Sequence, residues 1–334
     1  MKVEIDIDKA KNIGLLISKL VPQNIDLYDN IDYYPPLNAS KSDVFNYFLV
    51  MVSIDHRLRY KNKVYEGIID NRSYRGADAL YKLGSLKFNE DPSFFYPESL
   101  SEISEEKVKK WLSITDKNGK IIYPDDIRVR AELLKDLGNK LKKFYKDPYD
   151  LIIESQGYLR KGVNNGFIDL LKIFKAYQDP VEKKAFLLAK FLERRSILKI
   201  NDPYNKELPV DNHLSRIALR TGIIELDKET REKISMQLEF TSEEDIILRY
   251  NSRIAYRIVS QSSGLDPFIL DDILWNFGRN CCTKENPSCK TCNDFCRKIN
   301  GCNIDGCILA KECKAFSDKN YMIPEHKFAT IWWY

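Results

Sequence analysis

Pro209-Val-Asp-Asn-His-Leu-Ser-Arg-Ile-Ala-Leu-Arg-Thr-Gly222 describes a helix entered through an acidic residue. Asp211 sits just ahead of the helical run. There a carboxylate meets unpaired backbone N–H groups and the positive end of the helix dipole. Working outward, the same 3.6-residue rhythm governs most of the chain. Helices are expected at approximately Asp8–Leu20, Ser40–Arg59, Ala77–Leu86, Glu105–Leu112, Ile127–Tyr145, Pro148–Leu159, Phe167–Tyr177 and Pro180–Arg195. Others follow at Val210–Thr221, Lys228–Leu238, Ser242–Ser262 and Pro267–Arg279. Ser40-Lys-Ser-Asp43 opens the second of these in the manner of a capping box. Strand signals are confined to Val64–Asp70 and to a hairpin at Asn118-Gly119 leading into Ile121–Tyr123. The fold class is therefore all-α.

The chain has 334 residues, 43% of them hydrophobic, enough to fill a core or two packed lobes. Its formal net charge of +4 permits a nucleic-acid partner without requiring one. The longest apolar run, near Tyr47–Ile54, is far short of the roughly 20 residues that span a bilayer, so no membrane partner is expected. The opening Met1-Lys-Val-Glu-Ile-Asp alternates in charge and carries no leader-like apolar stretch, which suggests a cytoplasmic protein. All eight cysteines lie between Cys281 and Cys313. In a reducing compartment such crowding favours metal ligation over disulfides, although a disulfide cage is the minority alternative.

A second segment follows the first in register: Phe277-Gly-Arg-Asn-Cys-Cys282, then Pro287-Ser-Cys-Lys-Thr-Cys292 and Asp294-Phe-Cys296. Together the two resemble the helix-hairpin-helix DNA glycosylases of the endonuclease III type. That resemblance implies a two-lobed helical fold with a C-terminal cysteine-rich metal loop. Its parts would be an N-terminal lobe (1–125), a catalytic region (126–280) and the cysteine loop with tail (281–334). It further implies cleavage of a base–sugar bond in DNA, with Asp211 as the catalytic carboxylate and a [4Fe–4S] cluster in the loop. An ionised carboxylate could stabilise the positive charge that builds as a base leaves its sugar. By itself Asp211 would be read as a helix cap; the flanking residues favour catalysis.

Asp179-Pro-Val-Glu-Lys-Lys-Ala185 stands where this family places its hairpin and its lysine, and Lys184 matches that lysine. A nucleophilic amine must first lose its proton, which burial or a cationic neighbour such as Lys183 promotes. The bland alternative is a solvated lysine pair. The spacing to Asp211 is closer to archaeal 8-oxoguanine glycosylases than to endonuclease III. The turn Tyr177–Pro180 contains no glycine, whereas the family's hairpin grips a DNA phosphate through a Gly-x-Gly turn. That departure points to a second resemblance, to queuosine-salvage N-glycosidases, which hydrolyse a free modified nucleotide. There an aromatic-Gly motif closes the pocket, and Tyr74-Arg-Gly-Ala-Asp-Ala-Leu-Tyr81 would do so here. Tyr74, Arg75, Asp78, His213 and Arg216 are the candidate substrate contacts. A third reading is a non-catalytic nucleic-acid-binding iron–sulfur protein.

Cys282-x6-Cys289-x2-Cys292-x3-Cys296 is the expected ligand set, with Cys302, Cys307 and Cys313 as alternatives. On spacing alone zinc would lead; the resemblance favours iron–sulfur, and two metals remain open. Asp55-His56 closes an apolar helix and is assigned to the helix dipole. Phe94-Phe-Tyr96 and Ile331-Trp-Trp-Tyr334 are assigned to core or interface in preference to base stacking. A monomer is expected.

Overall fold

The computed structural model describes every residue except 21–24, 62, 164, 290, 300, 304–305 and 329–331. It is predominantly helical, as the periodicity requires. The chain forms two compact units, one of residues 1–25 and 206–331, the other of residues 26–205 and 332–334. These part at 25/26 and 205/206. No periodicity signal could mark the first of those points, because the N-terminal helix joins the C-terminal half.

The first unit is built on the helix Ser242–Ser263, which begins with a full capping box between Thr241 and Glu244 and ends at Gly264 in the left-handed region. Helix Ile7–Ile17 packs along it. A Cβ at Gly14 would run into the Ser262 side chain and the Val259 carbonyl, so this close approach requires glycine. Helices Asn212–Thr221 and Pro267–Asn280 complete the core, where Ala10, Ile13, Leu214, Ile217, Leu248, Tyr256, Leu270 and Phe277 are buried together. A short antiparallel pair, Val3–Ile5 with Ile224–Leu226, ties the N-terminus to this core. No strand is expected there from the sequence, since three residues are too few for alternation to register.

The C-terminal segment is anchored by charge. His326 Nε2 lies 2.8 Å from Asp245 Oδ1, and Arg249 approaches Asp245 Oδ2 through Nε and Nη2 at 2.9 Å each. All three side chains are fully buried. Burial pushes the Asp245 carboxyl up, but the hydrogen bond from His326 and the charge of Arg249 outweigh it, and its pKa is lowered. Such a group stabilises the fold above the ordinary carboxylate range and loses that contribution as pH falls through its folded pKa. Asp245→Asn should cost about 3 kcal/mol, the scale for breaking one partner of a buried pair. Urea midpoints measured from neutral pH down past about pH 4 should show an acid-induced loss in wild type that is smaller in the variant.

The second unit centres on helix Lys41–Ser53, buried from Val44 onward. Ser40 caps it as expected, its side chain accepting from Asp43 N. The helix stops at Ser53, before the expected Arg59, because the chain turns through Asp55, His56 and Arg57, the last at φ 36°. Phe48 stacks on Phe191 of helix Lys183–Arg194 with ring centroids 5.0 Å apart. The two separate strand signals prove to be one sheet: Arg72–Arg75, Glu66–Ile69, Ile114–Thr115 and Ile121–Ile122, in that order and antiparallel throughout. Beyond Leu170 the expected helix to Tyr177 is replaced by two 3₁₀ turns. Of the terminal aromatic run, residue 331 lies outside the described residues, and Trp332 Nε1 donates to the Lys175 carbonyl at 3.4 Å.

Candidate functional site

Helix Lys183–Arg194 begins with two consecutive lysines, the wrong charge for a helix N-terminus. Stability does not explain them. Asp179 does what stability asks: its carboxylate accepts from Val181 N and Lys183 N, both at 2.9 Å. The amides that a glycine hairpin would offer to a phosphate are thereby occupied by a side-chain anion. Glu182, at φ 59°, adds a second carboxylate and pairs with Arg160 and Lys172.

Lys184 is fully buried. Its Nζ donates to the Ser53 carbonyl at 2.7 Å and lies 3.1 Å from His56 Nδ1. Burial, then the charges of Lys183 and Arg130, hold its pKa well below the usual lysine value. His56 is also sealed, and burial followed by Lys184 and Arg130 holds its pKa well below the ordinary histidine value. Its Nε2 lies 3.1 Å from Asp126 Oδ2. Arg130 pairs with Asp126 and donates to the His56 carbonyl, and burial with Arg57 beside it brings Arg130 down to about 9.

Lys183 occupies the partly open position. Its Nζ lies 3.5 Å from the Asp55 carbonyl and 3.8 Å from Asp55 Oδ2, with 9% of the side chain exposed. Tyr81 Oη sits 3.4 Å from the same Asp55 oxygen, which brings the far end of the Tyr74–Tyr81 segment to the lysine pair. Tyr74 is buried edge-on against Tyr33, while Arg75 is exposed and Asp78 intermediate. Asp55, His56, Asp126 and Arg130 were not among the expected site residues. The signal was the Asp55-His56 pair itself, which a helix-end reading absorbed.

In the other unit Asp211 caps helix Asn212–Thr221, its Oδ1 accepting from Leu214 N at 3.0 Å. His213 is shifted down by burial, and its Nδ1 is 3.1 Å from Arg216 Nη2. Arg216 is committed internally: it donates to the carbonyls of Cys282 (2.9 Å) and Gly278 (2.7 Å) and pairs with Glu325. Arg220, one turn on, donates to the carbonyls of Ile323, Thr283 and Lys284 at 2.7–2.8 Å, and its Nη1 lies 3.4 Å from Cys282 Sγ. Both arginines are struts between the Asp211 helix and the cysteine loop.

The cysteines fall into two groups that interleave along the chain. Cys282, Cys289, Cys307 and Cys313, with Cys281 beside them, line one small cavity walled by Ile217, Phe277 and Leu309. Cys307 N donates to the Cys289 carbonyl at 3.2 Å, closing this ring of residues. Cys281, Cys292, Cys296 and Cys302 form a separate knot. The expected set is thus divided, with Cys282 and Cys289 in the first group and Cys292 and Cys296 in the second.

No protein-family model and no curated protein matches the chain. Among solved structures it is similar to an 8-oxoguanine DNA glycosylase from Pyrobaculum aerophilum, determined in complex with 8-oxoguanosine. That likeness has a TM-score of 0.47 and 14% identity, over 92% of this chain and 96% of the other. No described helix is long and apolar enough to cross a membrane.

Proposed function

We propose that this chain is an N-glycosidase that cleaves a base–sugar bond in DNA, a base-excision glycosylase with lysine chemistry at the Lys183–Lys184 pair. The observation that carries the reading is the pair itself: two lysines at a helix N-terminus, one of them sealed against His56 with its pKa pushed down by burial. Burial and neighbouring cations are the means by which lysines become nucleophiles. Lys184 keeps its candidacy from the sequence. The geometry favours Lys183 as the amine that meets a sugar, because Lys184 is sealed. Asp211, whose carboxylate is fixed by its cap, is the candidate for stabilising positive charge on the sugar.

A [4Fe–4S] cluster would be held by Cys282, Cys289, Cys307 and Cys313, four thiols that line one apolar cavity outside the two drawn disulfides. Its contribution would be structural, fastening the loop to the Arg216 and Arg220 struts. Anaerobically purified protein should be brown and carry four irons per chain; colourless, iron-free protein from that preparation would remove the cluster.

The free-nucleotide reading is favoured by one observation, the Asp179 carboxylate on the hairpin amides. The two separate on substrate. Release of base from lesion-bearing oligonucleotides, with binding that weakens steeply as salt rises, supports the DNA reading. Turnover of free modified nucleotides with no such binding supports the other.

A further inference from the structure

Cys281, Cys292, Cys296 and Cys302 belong to none of the chemistry above. Drawn as covalent pairs they are two disulfides, Cys281–Cys296 and Cys292–Cys302, with Cα atoms 5.1 and 6.1 Å apart. Their placement says more than pairing requires. Cys302 Sγ lies 3.1 Å from Cys296 Sγ, although each already has a partner. The sulfurs of Cys292, Cys296 and Cys302 all lie within 4.8 Å of one another. Two independent disulfides have no reason to bring three sulfurs together in this way, and Cys281 adjoins them through Cys296. Thiolates around one ion must converge: at a Zn–S distance of about 2.3 Å, tetrahedral geometry puts neighbouring sulfurs about 3.8 Å apart.

The surroundings fit a closed single-ion site. Cys292-x3-Cys296 is a chelating spacing for zinc. Cys281 ends helix Pro267–Asn280, and Cys296 is fully buried. Gly301 presses its backbone on the knot: a Cβ there would come within 2.7 Å of Cys281 Sγ and 2.8 Å of Cys296 Sγ.

We infer that Cys281, Cys292, Cys296 and Cys302 form a second, structural metal site, a tetrathiolate for one Zn(II), interleaved with the cavity cysteines. The consecutive residues Cys281 and Cys282 then serve different centres. The inference uses no residue of the glycosidase reading and stands or falls separately from it.

The test is metal analysis of full-length protein purified anaerobically. Wild type should carry one zinc per chain. Cys292→Ser and Cys302→Ser should each lose that zinc and retain the iron. Because either variant can unfold the loop, a second measurement uses wild type alone. It is denatured with a chelator and alkylated with iodoacetamide in the absence of reductant, and its peptides are mapped. Alkylation of all four cysteines supports a thiolate site. Protection of the four until a reductant is added, absence of zinc from wild type, or a lone extra iron in its place would overturn the assignment.

Discussion

Asp211→Asn is expected to lower single-turnover base release by roughly a hundredfold or more, the scale of removing one preorganised electrostatic group. Asparagine preserves the side-chain oxygen that accepts from Leu214 N, so the helix keeps its cap. What disappears is the negative charge. The variant should therefore melt within a few degrees of wild type and retain its metals, which separates lost chemistry from lost fold. A folded Asp211→Asn protein with wild-type turnover on its substrate would remove Asp211 from the reaction.

The second large effect is at the lysine pair. With a lyase substrate, borohydride should trap wild type as a covalent adduct, and peptide mapping should place it on Lys183. Lys183→Gln should abolish trapping. Its stability should hold or rise slightly, because an ammonium at a helix N-terminus opposes the dipole. Lys184→Met fills the sealed space with an apolar chain of similar length and should still be trapped, more slowly. Trapping should strengthen as pH rises, since only an unprotonated amine attacks. An adduct mapped to Lys184 would mean that its cover opens during the reaction and that the Ser53 and His56 contacts are a resting state. Normal base release by both variants would leave water as the nucleophile and favour the free-nucleotide reading.

The helical character, the Ser40 and Asp211 starts, and the concentration of thiols were all legible from the chain. They rest on local physics: a periodic apolar face, a capping side chain, a cluster within about thirty residues. What was not legible depends on contacts distant in sequence. Asp55-His56 attracts notice as a pair, but its meaning comes from Asp126 and from Lys184, 128 residues away. Lys183 and Lys184 are chemically identical as letters. Only packing seals one and leaves the other partly open. The cysteines defeat spacing arguments for a similar reason. Spacing favours neighbours in sequence, whereas the fold sets Cys281 against Cys296 and gathers Cys282 with Cys289, Cys307 and Cys313. Likewise Val64–Asp70 and Ile121–Tyr123 each look like a stray strand until Ile68 pairs with Thr115.

The helix that carries Asp211 at its start carries Arg216 and Arg220 further along, and both are tied to carbonyls of the cysteine loop. If the cysteine loop does hold metal, stripping it would loosen three carbonyl anchors of those arginines, at Cys282, Thr283 and Lys284. Oxidants and thiol-seeking metals would then behave as remote poisons. They would silence the protein without entering its substrate pocket, and added substrate would give no protection.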